Sequence, residues 1–239
     1  MKLSVIIPTL NEARYLAAAV RALRTRAVLG ASHEVIVADC GSTDGSAELA
    51  ARLGTVVVQD NPRLDSRAAA LNAGAAHATG DVMLFLDADT HAPQGYDRAI
   101  ERALRDPHVV GGAFEFALDG SELGLRIVEF INRVRYRIWP YFYGDQGIFV
   151  RASVFHQIGG YPRRRILEAS DLCRKLNRKG KLVLLHKPMK TSPRRFLDGG
   201  VYRVLAHDAW VWMLDMMRLS TERYGPAYQH ENWRRGQRG

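Results

Sequence analysis

An α/β protein with a mostly parallel central sheet, flanked by helices and followed by a C-terminal helical extension, is what the sequence predicts, on three observations. Short, wholly apolar runs alternate with helix-length segments through residues 1–110. The runs lack the in-out alternation of a strand with one wetted face, which marks parallel strands covered on both sides. Polar clusters follow the runs directly, and in an open parallel sheet ligands bind beyond the carboxyl ends of the strands.

The elements follow in order. Leu3 to Ile7 reads as a strand and Glu12 to Thr25 as its helix; Glu34 to Ala38 and Gly45 to Leu53 form the next pair, and Thr55 to Gln59 and Ser66 to Ala78 the third. Val82 to Leu86 is the fourth strand. After residue 110 the alternation weakens: Gly112 to Leu118, Gly147 to Val150 and Lys181 to His186 read as strands. Leu123 to Trp139 carries Ile127, Phe130, Ile131, Val134 and Ile138 at helical spacing, and Tyr202 to Leu219 reads as a second helix. There is no internal repeat and no low-complexity segment.

With 47% hydrophobic and 25% charged residues, 239 residues suit one large globular domain or a domain with an appendage. Cys40 and Cys173 lie far apart without a CxxC or Cys/His spacing, which argues against a disulfide framework or a zinc site. Met1 to Pro8 reads as a strand too short for a signal-peptide core, and no 18-residue apolar run occurs, so a cytoplasmic protein is expected. A net charge of +9 favours an anionic partner: nucleic acid, a phosphorylated metabolite or an acidic membrane surface. The arginines are scattered, with denser groups at Arg133 to Arg137, Arg163 to Arg165 and Arg194 to Arg195, and charge alone does not choose among these partners.

Three polar clusters fall at strand ends. Thr9, Asn11 and Glu12 sit where a strand turns into a helix, a place suited equally to capping and to a nucleotide on exposed amides. Gly41-Ser42-Thr43-Asp44-Gly45 is a turn and helix start, while Asp39 before it stands where a carboxylate accepts from the imide N–H of uracil or thymine, or from a guanine edge. Asp87 and Asp89, one residue apart after Val82-Met83-Leu84-Phe85-Leu86, point the same way if the segment is extended. Two carboxylates that close repel unless a cation or a proton intervenes, and a hard ion such as Mg²⁺ or Mn²⁺ completed by phosphate oxygens fits. Asn72, mid-helix after Arg67, needs a partner for its amide.

Taken together, Ser4-Val5-Ile6-Ile7-Pro8-Thr9-Leu10-Asn11-Glu12, the Asp39 to Gly45 turn, Arg67 with Leu71-Asn72-Ala73-Gly74, and Gly80-Asp81-Val82 running into Leu86-Asp87-Ala88-Asp89 resemble the family-2 glycosyltransferases in order and spacing. The resemblance continues through Gly144-Asp145-Gln146-Gly147-Ile148-Phe149-Val150-Arg151 and Ile158-Gly159-Gly160-Tyr161, covers residues 3 to about 195, and is nearest to the small soluble bacterial members. It implies the GT-A fold, with a nucleotide-sugar-binding half at 1–110, an acceptor-binding and catalytic half at 111–200 and a helical extension at 201–239. It implies that Pro8, Thr9, Glu12 and Asp39 hold base and ribose, with Leu10, Gly41, Ser42, Arg67, Asn72 and Ala88 completing the donor site. Asp87 would contact ribose or metal, and Asp89 would be the main protein ligand of Mn²⁺ or Mg²⁺ on the diphosphate. The function implied is inverting, metal-dependent transfer from a nucleotide-sugar, a UDP-sugar by preference and a GDP- or dTDP-sugar otherwise.

The family's base comes from a Glu-Asp pair before a helix, but this chain reads Leu167-Glu168-Ala169-Ser170-Asp171, with alanine where that aspartate stands. Three readings follow: Glu168 is the base, Asp171 is, or the protein is a weak or non-catalytic nucleotide-sugar binder. Arg194 and Arg195 are placed to close over the diphosphate. Trp139 and Tyr143, with Tyr141 between them, are candidates to stack on an acceptor, with Asp145 and Gln146 beside them. The acceptor expected is a saccharide, a lipid-linked sugar or a small molecule. The Leu123 to Trp139 helix, carrying Arg126, Arg133, Arg135 and Arg137, suits peripheral contact with the inner face of a membrane, and a homodimer stays open.

Rival classes are weaker. Leu86-Asp87-Ala88-Asp89-Thr90 resembles the DxDxT motif of haloacid-dehalogenase-like phosphatases, but Gly144-Asp145-Gln146-Gly147-Ile148-Phe149 lacks the second aspartate of their GDxxxD motif. No GxGxxG follows the first strand, against a Rossmann dehydrogenase, and specific nucleic-acid binding has only the charge behind it.

Overall fold

The computed structural model describes residues 1–29, 33–58, 66–138, 141–164 and 166–224. Eight strands form one sheet in the order β3-β2-β1-β4-β7-β6-β8-β5. β1 (Leu3–Thr9), buried along its whole length, lies between β2 (Glu34–Asp39) and β4 (Val82–Phe85), parallel to both, and β3 (Val56–Val58) continues the parallel run beyond β2. The register sets Thr9 beside Asp39 and Ile6 beside Phe85, so the polar clusters after these strands emerge at one edge.

The second half of the sheet is mixed. β7 (Ile148–Arg151) runs antiparallel to β4 and to β6 (Val109–Leu118), whereas β8 (Lys181–Thr191) is parallel to β6 and antiparallel to the two-residue β5 (Thr90–His91). β8 outruns the expected Lys181 to His186 because the register slips between Phe114, opposite Leu185, and Glu115, opposite Pro188. The extra residues bulge out, which carries the strand past a proline that reads as a stop.

Helices cover both faces. α1 (Ala13–Arg26) packs on the face that includes Val5, Ile7 and Leu84, together with α4 (Tyr96–Ala103). On the other face α3 (Arg67–Ala76) and α7 (Glu168–Asn177) bury Leu71, Ala75, Leu172 and Leu176 against Ile6, Met83 and Phe85. α3 lies close because residue 74 is glycine: a Cβ there would stand 2.5 Å from Ile6 Cγ2. α2 (Ser46–Arg52) follows β2, and α6 (Ala152–Gln157) follows β7 directly. α5 (Leu123–Ile138), α8 (Arg194–Gly199) and α9 (Val201–Met216) enclose a third cluster with Phe116 and Leu118 at the far end of β6.

α4, α6 and α8 have no counterpart in the sequence reading. Each is 6 to 8 residues long, too short for a repeated 3.6-residue stripe, so packing rather than pattern holds it helical. The ends expected at Gln59 and Trp139 lie outside the described residues. Among the described residues no helix is long and apolar enough to cross a membrane.

Candidate active site

Beyond the carboxyl ends of β1 and β4 the chain forms a cleft of about 260 Å³ whose wall includes Pro8, Leu10, Glu12, Arg67, Asp87, Ala88, Asp89, Glu168, Arg194 and Arg195. Segments far apart in sequence meet there.

Asp87 and Asp89 reach the cleft on a turn. The amide of Thr90 donates to the carbonyl of Asp87 at 3.0 Å, so the pair is not held by the period of an extended strand, as its spacing suggests, but by a tight bend leading into β5. Asp87 accepts from Arg67 Nε at 3.0 Å and Nη2 at 2.6 Å, and the remaining nitrogen of that guanidinium reaches Glu168 Oε1 at 2.5 Å. Asp89 is partly buried, its side chain 10% exposed, and lies 3.1 Å from Arg194. Its burial, with Asp87 and Glu12 nearby, pushes its carboxyl up to about 7 in spite of that arginine. Glu12 begins α1 without capping it; its side chain turns instead to Arg194, and burial raises its pKa against that pairing.

Five expected donor residues, Thr9, Asp39, Gly41, Ser42 and Asn72, are not on the wall. Thr9 is fully buried. Asp39 accepts from the amides of Gly41 and Ser42 at 3.2 and 3.0 Å and from the Ser42 hydroxyl, so that its carboxylate shapes its own loop. That loop is tied to the first one, since Asn11 N donates to Ser42 Oγ at 2.8 Å and Thr43 N to Asn11 Oδ1 at 2.8 Å. Asn72 finds the partner its position demands: it donates to the Tyr161 carbonyl and accepts from the Tyr161 amide, both at 2.9 Å, tethering the loop that precedes α7.

On the acceptor side, Tyr143, Gly144 and Asp145 are on the wall. Gly144 is pressed on the Arg67 guanidinium, where a Cβ would come within 2.3 Å of Nη2. Asp145 makes no hydrogen bond or ion pair among the described residues; burial first, then the charge of Asp87, pushes its carboxyl up to about 6. Gln146 is fully buried, accepting from Tyr143 N at 2.9 Å and donating to Phe114 O at 3.1 Å, and so braces this loop rather than facing the cleft. Trp139 lies outside the described residues. Tyr141 carries the Arg174 guanidinium 5.2 Å from its ring centre.

The two candidate bases part company. Glu168 and Ala169 are on the wall, just after Leu167, a leucine held at φ 58 and therefore in a strained region for its type. Asp171 faces away from the cleft into an ionic cluster, 2.9 Å from Arg164 and 2.5 Å from Arg174, which also hold Asp215 of α9. The i, i+3 spacing that puts both acids near one helix face leaves only the first in the cleft.

Sequence reasoning did not assign Asp208 and Trp212 to the site. Asp208 is buried against Arg195, and Trp212 stacks on Tyr143 with ring centres 5.7 Å apart. The available signal was Asp208 standing directly before the apolar run Ala209 to Leu214.

The wall carries Glu12, Asp87, Asp89, Asp145, Glu168 and Asp208 against Arg67, Arg194 and Arg195. Acids outnumber cations six to three on this wall, in a chain that is basic as a whole. Among the described residues no three His, Cys, Asp or Glu side chains are grouped to hold a metal by themselves. One or two carboxylates and an open cleft fit a hard cation completed by phosphate oxygens and water.

Residues 4–169 match the profile of glycosyl transferase family 2, and the chain belongs to that family. It is 34% identical over 179 residues to the undecaprenyl-phosphate 4-deoxy-4-formamido-L-arabinose transferase of Klebsiella pneumoniae, a match covering 72% of this chain and 52% of that one. Over 236 residues it is 27% identical to glycosyltransferase AglE of Haloferax volcanii, covering 90% of this chain and 76% of AglE. The chain thus spans about half the length of the arabinose transferase it matches. Among solved structures, the mannosyltransferase PcManGT of Pyrobaculum calidifontis, in complex with GDP-Man and Mn²⁺, superposes with a TM-score of 0.62 at 21% identity, over 79% of this chain and 56% of that one. Glucosyl-3-phosphoglycerate synthase of Mycobacterium tuberculosis, with Mn²⁺, UDP and glucosyl-3-phosphoglycerate, gives 0.59 at 20% identity over 92% and 81%. The fold is GT-A, as the sequence motifs implied.

Proposed function

We propose that the protein transfers a sugar from a nucleotide-sugar, a UDP-sugar by preference, to an acceptor hydroxyl with inversion at the anomeric carbon and with a divalent cation on the diphosphate. The observation that carries this reading is the meeting of Asp87 and Asp89 with the Glu12–Arg194 and Arg67–Glu168 pairs in one acid-rich cleft. Family membership and neighbours solved with nucleotide sugars and Mn²⁺ support it.

Pro8 and Leu10 offer an apolar floor for the base, and the Asp39 and Asn11 hydrogen bonds keep the loop behind it in place. Asp89, with Asp87 beside it, would hold Mn²⁺ or Mg²⁺, whose charge offsets the negative charge that grows on the departing diphosphate. Arg194 and Arg195 present planar donor forks to phosphate oxygens. Arg67 keeps Asp87 and Glu168 in fixed relation. Glu168 takes the proton of the acceptor hydroxyl while that oxygen bonds to the anomeric carbon and the carbon–phosphate-oxygen bond breaks on the opposite face. Tyr143, Trp212 and the carboxylate of Asp145 line the acceptor side. The chemistry belongs on the cytoplasmic side, with a saccharide, lipid-linked or small-molecule acceptor.

Ala169 motivates one other reading, a nucleotide-sugar binder that turns over slowly or not at all. Thermal shift and calorimetry with UDP-, GDP- and dTDP-sugars, with and without Mn²⁺, followed by donor hydrolysis, separate the two. Metal-dependent binding with turnover supports the transferase; binding without turnover that returns in Ala169→Asp supports the binder; no binding of any donor overturns both.

A further inference from the structure

α5 and α9 lie side by side and run in the same direction. Gly124 meets Val201 at one end, where a Cβ on the glycine would stand 3.2 Å from Val201 Cγ1, and Arg135 lies 5.0 Å from the Trp212 ring centre at the other. Their inward sides cover the cluster of Leu125, Val128 and Phe196 and supply Asn132, Asp208 and Trp212 to the cleft. Their outward sides are apolar. On α5 Leu123, Phe130 and Val134 are exposed at a spacing that keeps them on one stripe, and on α9 Tyr202, Trp210, Met213 and Met216 are exposed, with Met217 just beyond. Phe130 and Met217 are each 63% exposed. Among the described residues these two adjoining helices leave an apolar surface exposed, and such a surface marks a place where something docks.

The charges select the occupant. Every acid on these helices, Glu129, Asp208 and Asp215, is buried and turned inward. Among the described residues the exposed charged ones along them are Arg126, Arg133 and Arg203, with Arg218 two residues beyond α9 and the exposed Glu122 one residue before α5. Arg126 and Arg133 each touch an acid, Glu129 and Glu115, while their side chains stay 45% and 56% exposed. A second copy packed on this face would bring arginines against arginines with no exposed acid on either helix to receive them. An apolar stripe with aromatic residues and an arginine margin matches an anionic lipid surface.

We propose that the outward faces of α5 and α9 dock the protein on the surface of an anionic lipid bilayer, setting the cleft between the inward sides of the same helices next to the membrane. The helices lie in the interface and do not span it. This goes beyond the catalytic reading and does not rest on it.

The test is co-sedimentation of the full chain with phosphatidylcholine vesicles and with the same vesicles containing phosphatidylglycerol, beside light scattering without lipid. Binding to the anionic vesicles only is expected, weakened about fivefold by each of Arg203→Gln and Arg218→Gln. At least a tenfold loss is expected in the Phe130→Glu/Met213→Glu variant. These residues are outside the cleft, so donor thermal shifts measured without vesicles should match wild type in all variants, and that control reads the catalytic proposal separately. No sedimentation with anionic vesicles overturns the inference, and a dimer split by Phe130→Glu/Met213→Glu would assign the face to a second copy. Binding unchanged in that variant also overturns it.

Discussion

Arg194 grips Glu12 across 182 residues of chain, Nη2 to Oε1 at 2.6 Å and Nη1 to Oε2 at 3.0 Å, and the same Nη2 lies 3.1 Å from Asp89. One guanidinium therefore stands against two carboxylates of the cleft. In Arg194→Ala both lose their cation, and stability should fall by about 1–3 kcal/mol. Mn²⁺ should bind the donor-free protein more tightly, because its competitor is gone, while the donor binds more weakly. Arg194→Lys should not restore donor affinity, since a point charge does not reproduce the fork. Calorimetry of metal and donor separately, with urea unfolding, reads all three effects.

Asp89 is the residue on which metal dependence is expected to turn. Asp89→Ala should erase the difference between donor thermal shifts taken with and without Mn²⁺. A difference of the wild-type size in that variant would remove Asp89 from the metal clamp.

Glu168 and Asp171 should behave as different kinds of residue. Glu168→Gln is expected to lower turnover by about 10²–10⁴ with donor affinity kept. Asp171→Asn, which loosens the contacts to Arg164 and Arg174 outside the cleft, should lower stability by about 1 kcal/mol and leave turnover near wild type. The reverse pattern in single-turnover assays would make Asp171 the base.

The Asp145 carboxyl, pushed up to about 6 by burial and by the charge of Asp87, is harder to ionise folded than unfolded, where aspartate titrates near about 3.9. Below about pH 4 it is protonated in both states and costs nothing. As pH rises through about 6 the folded protein must ionise it, and the stability held at low pH is lost. Asp145→Asn should therefore raise the thermal midpoint relative to wild type at pH 8, with the gain shrinking toward zero at pH 4. A pH-independent difference would contradict this assignment.

Much of the fold was legible because its signal is local. The all-apolar run Val82 to Leu86 has no other use than a strand buried on both faces, and Ser66 before Arg67 caps α3 in the structure by accepting from Ala69 N. Local pattern failed where elements are short, as in α4, α6 and α8, and where a bulge let β8 run on through Pro188. In the site, the residue types of the donor motifs were legible, but not which of them face the cleft. Asp39, Asn72 and Gln146, read as ligand contacts, also hydrogen-bond the loops that carry the wall, which the motifs did not indicate.

By itself the sequence determined the longer strands and helices in their chain order, the polar clusters at the strand ends and the membership of the chain in its family, all properties of neighbours along the chain and their spacing. Only the tertiary structure decided that Arg67 joins Asp87 to Glu168, that Arg194 reaches Glu12, that Asp171 turns from the cleft, and that α9 adds Asp208 and Trp212 to its wall. Periodicity says which face of an element is buried. An ion pair depends on where two distant loops come to rest, and that follows from sheet order and helix packing, which no local pattern encodes.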